Sequence, residues 1–199
     1  MISSAVTLAV QEGIGTIRLD SPPLNALDTR GRDELRRAAL RAAKDPAVTA
    51  VILYGGRNKF SAGIDVREIA ALGYASIVPF ARRMQEAFTA VAEIPKPVVA
   101  AITGFAVGGG CELALTADHR ICAANARLGL PEVTLGVMPG AGGTQRLTRL
   151  VGISRAKELI YTGAVVSAAR AHEIGLVDEV VPAAEVLPAA VAWASRFTV

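Results

Sequence analysis

Cysteine and histidine are scarce in this chain, and each scarcity argues against a class of protein. Only two cysteines occur among 199 residues, Cys111 and Cys122, and their spacing is unlike that of a CxxC pair. This argues against a disulfide framework and against a metal site, and it predicts two buried, reduced thiols. There is no GxSxG turn, and His119 and His172 fall on a strand edge and a helix, where structural histidines are expected rather than a hydrolase triad.

Long apolar runs and leader-like features are also absent. Hydrophobic residues make up 52% of the chain, but the longest apolar run, around 97–110, is shorter than the ~18 residues that a membrane span needs. The N-terminus has no basic residue before an apolar stretch and no small-residue cleavage pattern. We therefore expect no membrane association, no secretory signal and a cytoplasmic location.

The charge is nearly balanced, with a net value of +3. The arginines are scattered, and the doublets Arg36-Arg37 and Arg82-Arg83 are typical of solvated helix faces. No nucleic-acid module and no aromatic interleaving accompany them, which argues against a nucleic-acid partner. A small phosphorylated ligand is compatible with this charge.

Strand-like and helix-like segments alternate along the chain, which predicts an α/β fold. The predicted strands are 6–10, 14–19, 48–54, 98–103, 120–123 and 176–181, the first two forming a hairpin. One predicted helix begins after the cap Asp28 and ends at Asp45. The other predicted helices span 77–91, 110–117, 154–163 with Ser154 as cap, 167–175 and 183–197. Residues 55–64 are predicted to form a loop. Such alternation implies mostly parallel pairing, with ligand sites at the carboxyl ends of strands.

A glycine run, 108–110, precedes the short helix that carries Glu112. Residues without Cβ let a ligand approach the main chain, and the free N–H groups of a first helical turn attract an anion. No GxxxxGK[ST] occurs, and neither this run nor 140–144 forms GxGxxG after a strand, so a P-loop or Rossmann site is disfavoured. Close packing of helix on strand is the alternative explanation of the glycines.

Two glutamates lie in segments where a carboxylate is not expected to stabilise the fold. Glu112 lies in a glycine-rich segment and Glu132 in the apolar stretch 128–135, and burying an unpaired charge costs several kcal/mol. A helix dipole alone could explain Glu112, but two buried carboxylates together raise the pKa of one acid, as acid–base chemistry requires. The turn 60–65 after strand 48–54 adds main-chain donors, and donors from two loops can form an oxyanion hole.

Several segments together resemble the enoyl-CoA hydratase (crotonase) family. The shared motifs occur in the family's order over nearly all of residues 1–182, and they are 22–27, 60–65, 94–104, 108–114, 130–132, 140–147 and 171–178. The resemblance implies a spiral of repeated ββα units. It also implies an acyl-CoA thioester as ligand, with coenzyme A as part of the substrate and no other cofactor.

The resemblance also implies roles for individual residues. The main-chain N–H groups of Ile64 and Gly109 would stabilise the enolate oxygen. Glu112 would orient and deprotonate the water that attacks C3, and Glu132 would deliver a proton to C2. The residues expected to contact the CoA thioester are Ala62, Ile64, Asp65, Val66, Arg67 and Gly109, with Arg67 suited to a phosphate.

The predicted activity is reversible hydration of a 2-enoyl-CoA to a 3-hydroxyacyl-CoA, in fatty acid metabolism. An enoyl-CoA isomerase or another reaction of the family, and a non-catalytic acyl-CoA-binding subunit, are the alternatives. Residues 1–182 are expected to form the spiral core. Residues 183–199 are expected to begin a C-terminal helical region that is otherwise largely missing, and a homotrimer or dimer of trimers is implied.

Overall fold

The computed structural model describes residues 4–198, which contain eleven strands and eight α-helices. The strands are Val6–Gln11 (β1), Ile14–Leu19 (β2), Ala26–Leu27 (β3), Ala50–Tyr54 (β4), Gly63–Ile64 (β5), Val98–Ile102 (β6), Phe105–Val107 (β7), His119–Ala123 (β8), Arg127–Gly129 (β9), Val165–Ser167 (β10) and Glu179–Val181 (β11). The helices are Thr29–Lys44 (α1), Val66–Ala70 (α2), Tyr74–Ala92 (α3), Gly109–Ala114 (α4), Gly143–Val151 (α5), Ile153–Thr162 (α6), Ala168–Glu173 (α7) and Val186–Ser195 (α8). Two 3₁₀ helices cover Pro131–Leu135 and Ala183–Glu185.

Strand pairing gives the fold a repeating course between one large and two small sheets. The large sheet has the order β1-β2-β4-β6-β8-β11, and it is parallel except for the predicted hairpin of β1 and β2. The chain leaves this sheet after β4, β6 and β8 and enters a small sheet with β5, β7 and β9 respectively. The α/β prediction with mostly parallel pairing is confirmed.

The core lies on both faces of the large sheet. All five residues of β4 and of β6 are buried, as expected for central parallel strands that carry continuous apolar runs. Helix α1 buries Leu35, Ala38, Ala39 and Ala42, and α8 packs on β4 and β6. Cys111 and Cys122 are buried free thiols, as predicted. Within residues 4–198, every helix is too short or too polar to cross a lipid bilayer.

Several predicted boundaries are corrected by the structure. Ser154 is not a helix cap, because α6 begins at Ile153 and its cap is Gly152. The predicted loop 55–64 ends in β5, and β11 begins at Glu179 rather than at residue 176. The short strands β3, β7, β9 and β10 were not predicted, because two or three residues are too few to show a period. The helices α2 and α5 were not predicted either.

Asn25 anchors the loop that leads to the functional site. Its side chain is 1% exposed, and its Nδ2 donates to the carbonyls of Gly55 (2.6 Å) and Phe60 (2.9 Å). Its own carbonyl accepts from Ser61 Oγ (2.7 Å), which in turn accepts from the Gly63 N–H (2.9 Å). One buried amide therefore sets the position of residues 60–63.

The Asn25 anchor gives a prediction for stability. Replacing Asn25 by alanine leaves two buried carbonyls without a donor, and each unsatisfied group costs about 1–3 kcal/mol. We expect Asn25→Ala to lower the free energy of unfolding by about 2–4 kcal/mol, measured by urea denaturation. The exposed Asn58 is the matched control, and Asn58→Ala is expected to change this free energy by less than about 0.5 kcal/mol. Equal losses in the two variants would show that Asn25 is not an anchor.

Candidate active site

A cavity of about 460 Å³ lies between α3, the 3₁₀ helix Pro131–Leu135 and the first turn of α4. Six of the predicted site residues line it, and they are Ala62, Ile64, Val66, Gly109, Glu112 and Glu132. The opposite wall is apolar and comes mainly from α2, α3 and residues 135–138. Its members include Ile69, Ile77, Phe80, Ala81, Met84, Leu135, Val137 and Met138.

Two main-chain segments meet at the floor of this cavity. Gly63 has a φ of +90°, and a Cβ placed there would lie 2.5 Å from the nitrogen of Gly109. A Cβ on Gly110 would lie 2.1 Å from the carbonyl oxygen of Ser61. Glycine is therefore required at both positions by close contact, and the packing explanation of the glycine run holds for Gly110.

The first turn of α4 presents a free donor to the cavity. Gly109 begins this helix, and no acceptor within residues 4–198 takes its N–H. The N–H of the preceding Gly108 is different, because it donates to the carbonyl of Gly129 (2.9 Å). The main chain of Ile64 lies beside Gly109, since a Cβ on Gly109 would be 3.1 Å from the Ile64 nitrogen.

Glu112 is buried and bound through one oxygen. Glu112 is 2% exposed, and its Oε1 accepts hydrogen bonds from the N–H groups of Ala141 (2.8 Å) and Gly143 (2.7 Å). No donor from the described residues binds Oε2, which leaves this oxygen for the cavity that Glu112 lines. Burial raises the pKa of the Glu112 carboxyl, while the two N–H donors and the positive charge of Arg146 act in the opposite direction.

Glu132 has a different environment at the same cavity. Both carboxylate oxygens are buried, and neither has a hydrogen-bond partner among the described residues. Burial raises the pKa of Glu132 to about 7, and the negative charge of Glu112 adds to this rise. The cavity therefore combines one carboxylate that main-chain donors hold with a second acid that protonates near neutral pH.

Asp65 and Arg67 do not line the cavity, in contrast to the other predicted site residues. Asp65 caps α2 by accepting the N–H of Arg67 (2.9 Å), and its carboxylate also binds the Arg67 guanidinium (2.6 Å). The Arg67 side chain is 87% exposed. It therefore lies outside the cavity, at the surface of α2.

Both histidines lie away from this cavity, as expected for structural residues. His119 stacks on Trp193 of α8, with ring centroids 5.0 Å apart and an interplanar angle of 6°. His172 is on the surface of α7.

The sequence did not predict the turn that holds Glu112, and it did not predict that the apolar face of α3 borders the cavity. Ala141 and Gly143 are part of the shared motif 140–147, but no role follows from the motif, because the contacts are made by main-chain N–H groups. Phe80, Ala81 and Met84 lie on one apolar helix face in the sequence pattern, but this face borders the cavity and does more than fill the core. The two glycines flanking Ala141 were the only available signal for the turn.

Comparison with known proteins identifies relatives of this chain. The sequence profile described as "Enoyl-CoA hydratase/isomerase" matches residues 9–198. A Mycobacterium tuberculosis protein named "Probable enoyl-CoA hydratase EchA17" is 44% identical over 185 residues, which are 93% of this chain and 71% of that protein. A crotonyl-CoA hydratase from Syntrophomonas wolfei is 43% identical over 185 residues, which are 92% of this chain and 71% of that protein.

A solved structure shows the same fold. The enoyl-CoA hydratase from Bacillus anthracis superposes with a TM-score of 0.91 at 38% identity, and the match covers 97% of this chain and 76% of that one. The predicted spiral architecture is thereby confirmed. The profile match over most of the chain, the identities above 40% and the shared architecture establish that this chain belongs to the enoyl-CoA hydratase/isomerase family, with the crotonase fold.

Proposed function

We propose that this protein is an enoyl-CoA hydratase that adds water reversibly to a 2-enoyl-CoA and gives a 3-hydroxyacyl-CoA, a reaction of fatty acid metabolism. The observation that carries the proposal is the pair of carboxylates, Glu112 and Glu132, at one cavity in unlike environments. Hydration needs both a base for water and an acid for the α-carbon. Two acids whose environments separate their protonation states meet this need.

In this proposal Glu112 is the base. Its Oε1 is fixed by two N–H donors, so the free Oε2 has a defined position from which to orient water and accept its proton. The same donors stabilise the ionised form, in which a carboxylate can act as a base.

Glu132 is the acid. Its pKa of about 7 keeps a large protonated fraction at neutral pH, so that it can transfer a proton to C2. The absence of any bound donor among the described residues leaves its carboxyl group free for this transfer.

The main-chain N–H groups of Gly109 and Ile64 are the proposed oxyanion donors. They come from two segments that contact each other at the cavity floor, and the N–H of Gly109 has no acceptor within the described chain. Donors held this rigidly stabilise the enolate oxygen without reorganisation during the reaction.

The remaining predicted residues suit an acyl-CoA. Ala62 and Val66 lie at the cavity with Ile64 and would contact the thioester arm, and the apolar wall suits a hydrocarbon tail. Asp65 holds the Arg67 guanidinium at the surface of α2, where it would meet a phosphate of coenzyme A. A homotrimer or dimer of trimers is part of the proposal, and light scattering of the purified protein tests it.

The direct test is an assay with crotonyl-CoA. Hydration removes the conjugated double bond, so the absorbance of the enoyl thioester falls with time. An isomerase would leave this absorbance unchanged with crotonyl-CoA but would raise it with a 3-enoyl-CoA. Tight binding of acyl-CoA with neither change would indicate a non-catalytic binding subunit.

The acid role predicts the effect of one substitution on the rate. Glu132→Gln removes the proton donor and keeps the shape of the side chain, so we expect kcat to fall by about 10²–10⁴-fold. The Kd for an acyl-CoA, measured by calorimetry, is expected to stay within about threefold of the wild-type value. The exposed Glu158 is the control, since Glu158→Gln removes the same charge outside the cavity. An unchanged kcat in Glu132→Gln would rule out the acid role.

The raised pKa of Glu132 also predicts a pH-dependent gain in stability for the same variant. The folded protein binds the Glu132 proton more tightly than the unfolded chain does, so wild-type stability declines as the pH rises from about 4.5 to about 7. Glutamine does not ionise and avoids this loss. Because the residue is partly solvated, we expect Glu132→Gln to be about 1–2 kcal/mol more stable than wild type at pH 8 and nearly equal to it at pH 4.5. Urea denaturation at the two pH values measures the difference, and a constant difference would contradict the assigned environment.

The oxyanion donors predict a contrast between two substitutions of Gly109. Proline is tolerated sterically at the first position of a helix but has no N–H, so Gly109→Pro should lower kcat by about 10²–10³-fold. Gly109→Ala keeps the N–H and adds a Cβ 3.0 Å from Ile64 Cγ1, so it measures the steric part of the effect. Equal losses in both variants would assign the effect to crowding and refute the donor role.

A further inference from the structure

Arg146 of α5 is a half-buried cation that forms no ion pair within residues 4–198. Its Nη1 donates instead to the carbonyl oxygen of Ala141, at 2.8 Å. Removing a guanidinium from water without a contacting carboxylate costs free energy, and this burial lowers the pKa of Arg146, although the charge of Glu112 acts in the opposite direction. A position that carries such a cost calls for a reason other than folding stability.

The main chain of Ala141 links Arg146 to Glu112. The N–H of Ala141 donates to Glu112 Oε1 (2.8 Å), and its carbonyl accepts from Arg146. The second donor to Oε1, the N–H of Gly143, lies two residues further along the same turn. The orientation of the turn 140–143 therefore decides whether both donors reach the carboxylate.

The guanidinium covers this turn closely. Gly142 has a φ of +106°, and a Cβ on it would lie 2.2 Å from Arg146 Nη1, so the turn and the arginine are in direct contact. Gln85 of α3 supports the other end, because its Nε2 donates to the carbonyl of Gly140 (2.9 Å). Arg146 is the charged member of the two side chains that hold the turn.

We propose that Arg146 is a positioning residue for Glu112: it fixes the turn 140–143 against the Glu112 carboxylate and supplies a positive charge that favours the ionised form of this carboxylate. The kinetic consequence rests on the proposed function of Glu112 as the base. The structural consequence, a hold on the ionised form of Glu112, does not depend on the reaction.

The charged groups around Glu112 allow this effect to be isolated. On the 3₁₀ helix, Glu132 is the acid whose pKa the Glu112 charge raises, and the neighbouring Cys111, whose pKa burial raises to about 12, stays neutral at physiological pH. Arg120 of β8 interacts electrostatically with Cys111 and is paired with Asp178. Arg146 is therefore the cation that acts on Glu112 directly, and Arg149 on the same helix is exposed and acts on Arg146.

The experiment compares Arg146→Gln with Arg149→Gln, which removes the same charge from the same helix. The ¹³C signal of the Glu112 carboxyl, assigned by its loss in Glu112→Gln, is titrated by NMR in the free protein. We expect Arg146→Gln to move the titration midpoint upward by about 0.5–1 pH unit, because the variant loses a nearby cation and also loosens the turn whose N–H groups bind the carboxylate. Arg149→Gln is expected to move it by less than about 0.3 pH unit, because an exposed charge is screened. Equal midpoints in the two variants would overturn the proposal.

Kinetics with crotonyl-CoA form the second arm. The acid limb of the pH profile of kcat/KM should move upward with the NMR midpoint in Arg146→Gln. On this acid limb kcat should fall about tenfold for each pH unit by which the midpoint rises, with KM within about twofold of the wild-type value. A wild-type protein without hydratase activity would refute the proposed function but leave the NMR test intact.

Arg146→Lys provides an independent variant if Arg146→Gln does not fold. Lysine keeps the charge but lacks the planar guanidinium group, whose Nη1 donates to the Ala141 carbonyl. We expect a midpoint within about 0.3 pH unit of the wild-type value and a lower kcat, since the charge is retained and the turn is less well held. A kcat and midpoint both equal to those of the wild-type protein would show that the guanidinium does not position the turn.

Discussion

The main chains of residues 61–64 and 109–110 pass so close to each other that no side chain fits between them, and the geometry of the cavity depends on this contact. Gly63 and Gly110 are the residues that permit it. The contact sets the first turn of α4 against β5, which places the free N–H of Gly109 beside Ile64. It also fixes the start of the helix from which Glu112 projects.

The two carboxylates differ because their neighbours differ and not because of their own chemistry. Glu112 is tied by the turn 140–143, which Arg146 and Gln85 support from outside the cavity. Glu132 stands at the start of a short 3₁₀ helix, where burial and a nearby negative charge outweigh the effect of its own main-chain N–H. Main-chain donors on one carboxylate and none on the other thus give two side chains of one residue type unlike affinities for a proton.

The sequence predicted what depends on local pattern and missed what depends on contacts between distant segments. The hairpin of β1 and β2 and the Asp28 cap of α1 are local, and both are confirmed. The strands of the small sheets contain only two or three residues, so they have no readable period. For the site, Glu112 and Glu132 stand out because a charge in an apolar segment is unusual. Their neighbours Ala141 and Gly143 do not stand out, because a main-chain N–H has the same chemistry in every residue.

The use of main-chain groups at this cavity has a consequence for how the protein can diverge. Nearly every single amino-acid replacement keeps the N–H of the residue that it changes, but a Cβ on Gly143 would lie 2.8 Å from Glu112 Oε1 and one on Gly110 would lie 2.1 Å from the Ser61 carbonyl oxygen, so crowding restricts replacement at these positions. The apolar wall formed by Phe80, Ala81 and Met84 consists of side chains, so each replacement there changes the lining of the cavity directly. Substitutions in the wall therefore change the shape of the cavity, while the positions of the main-chain donors depend on the course of the backbone.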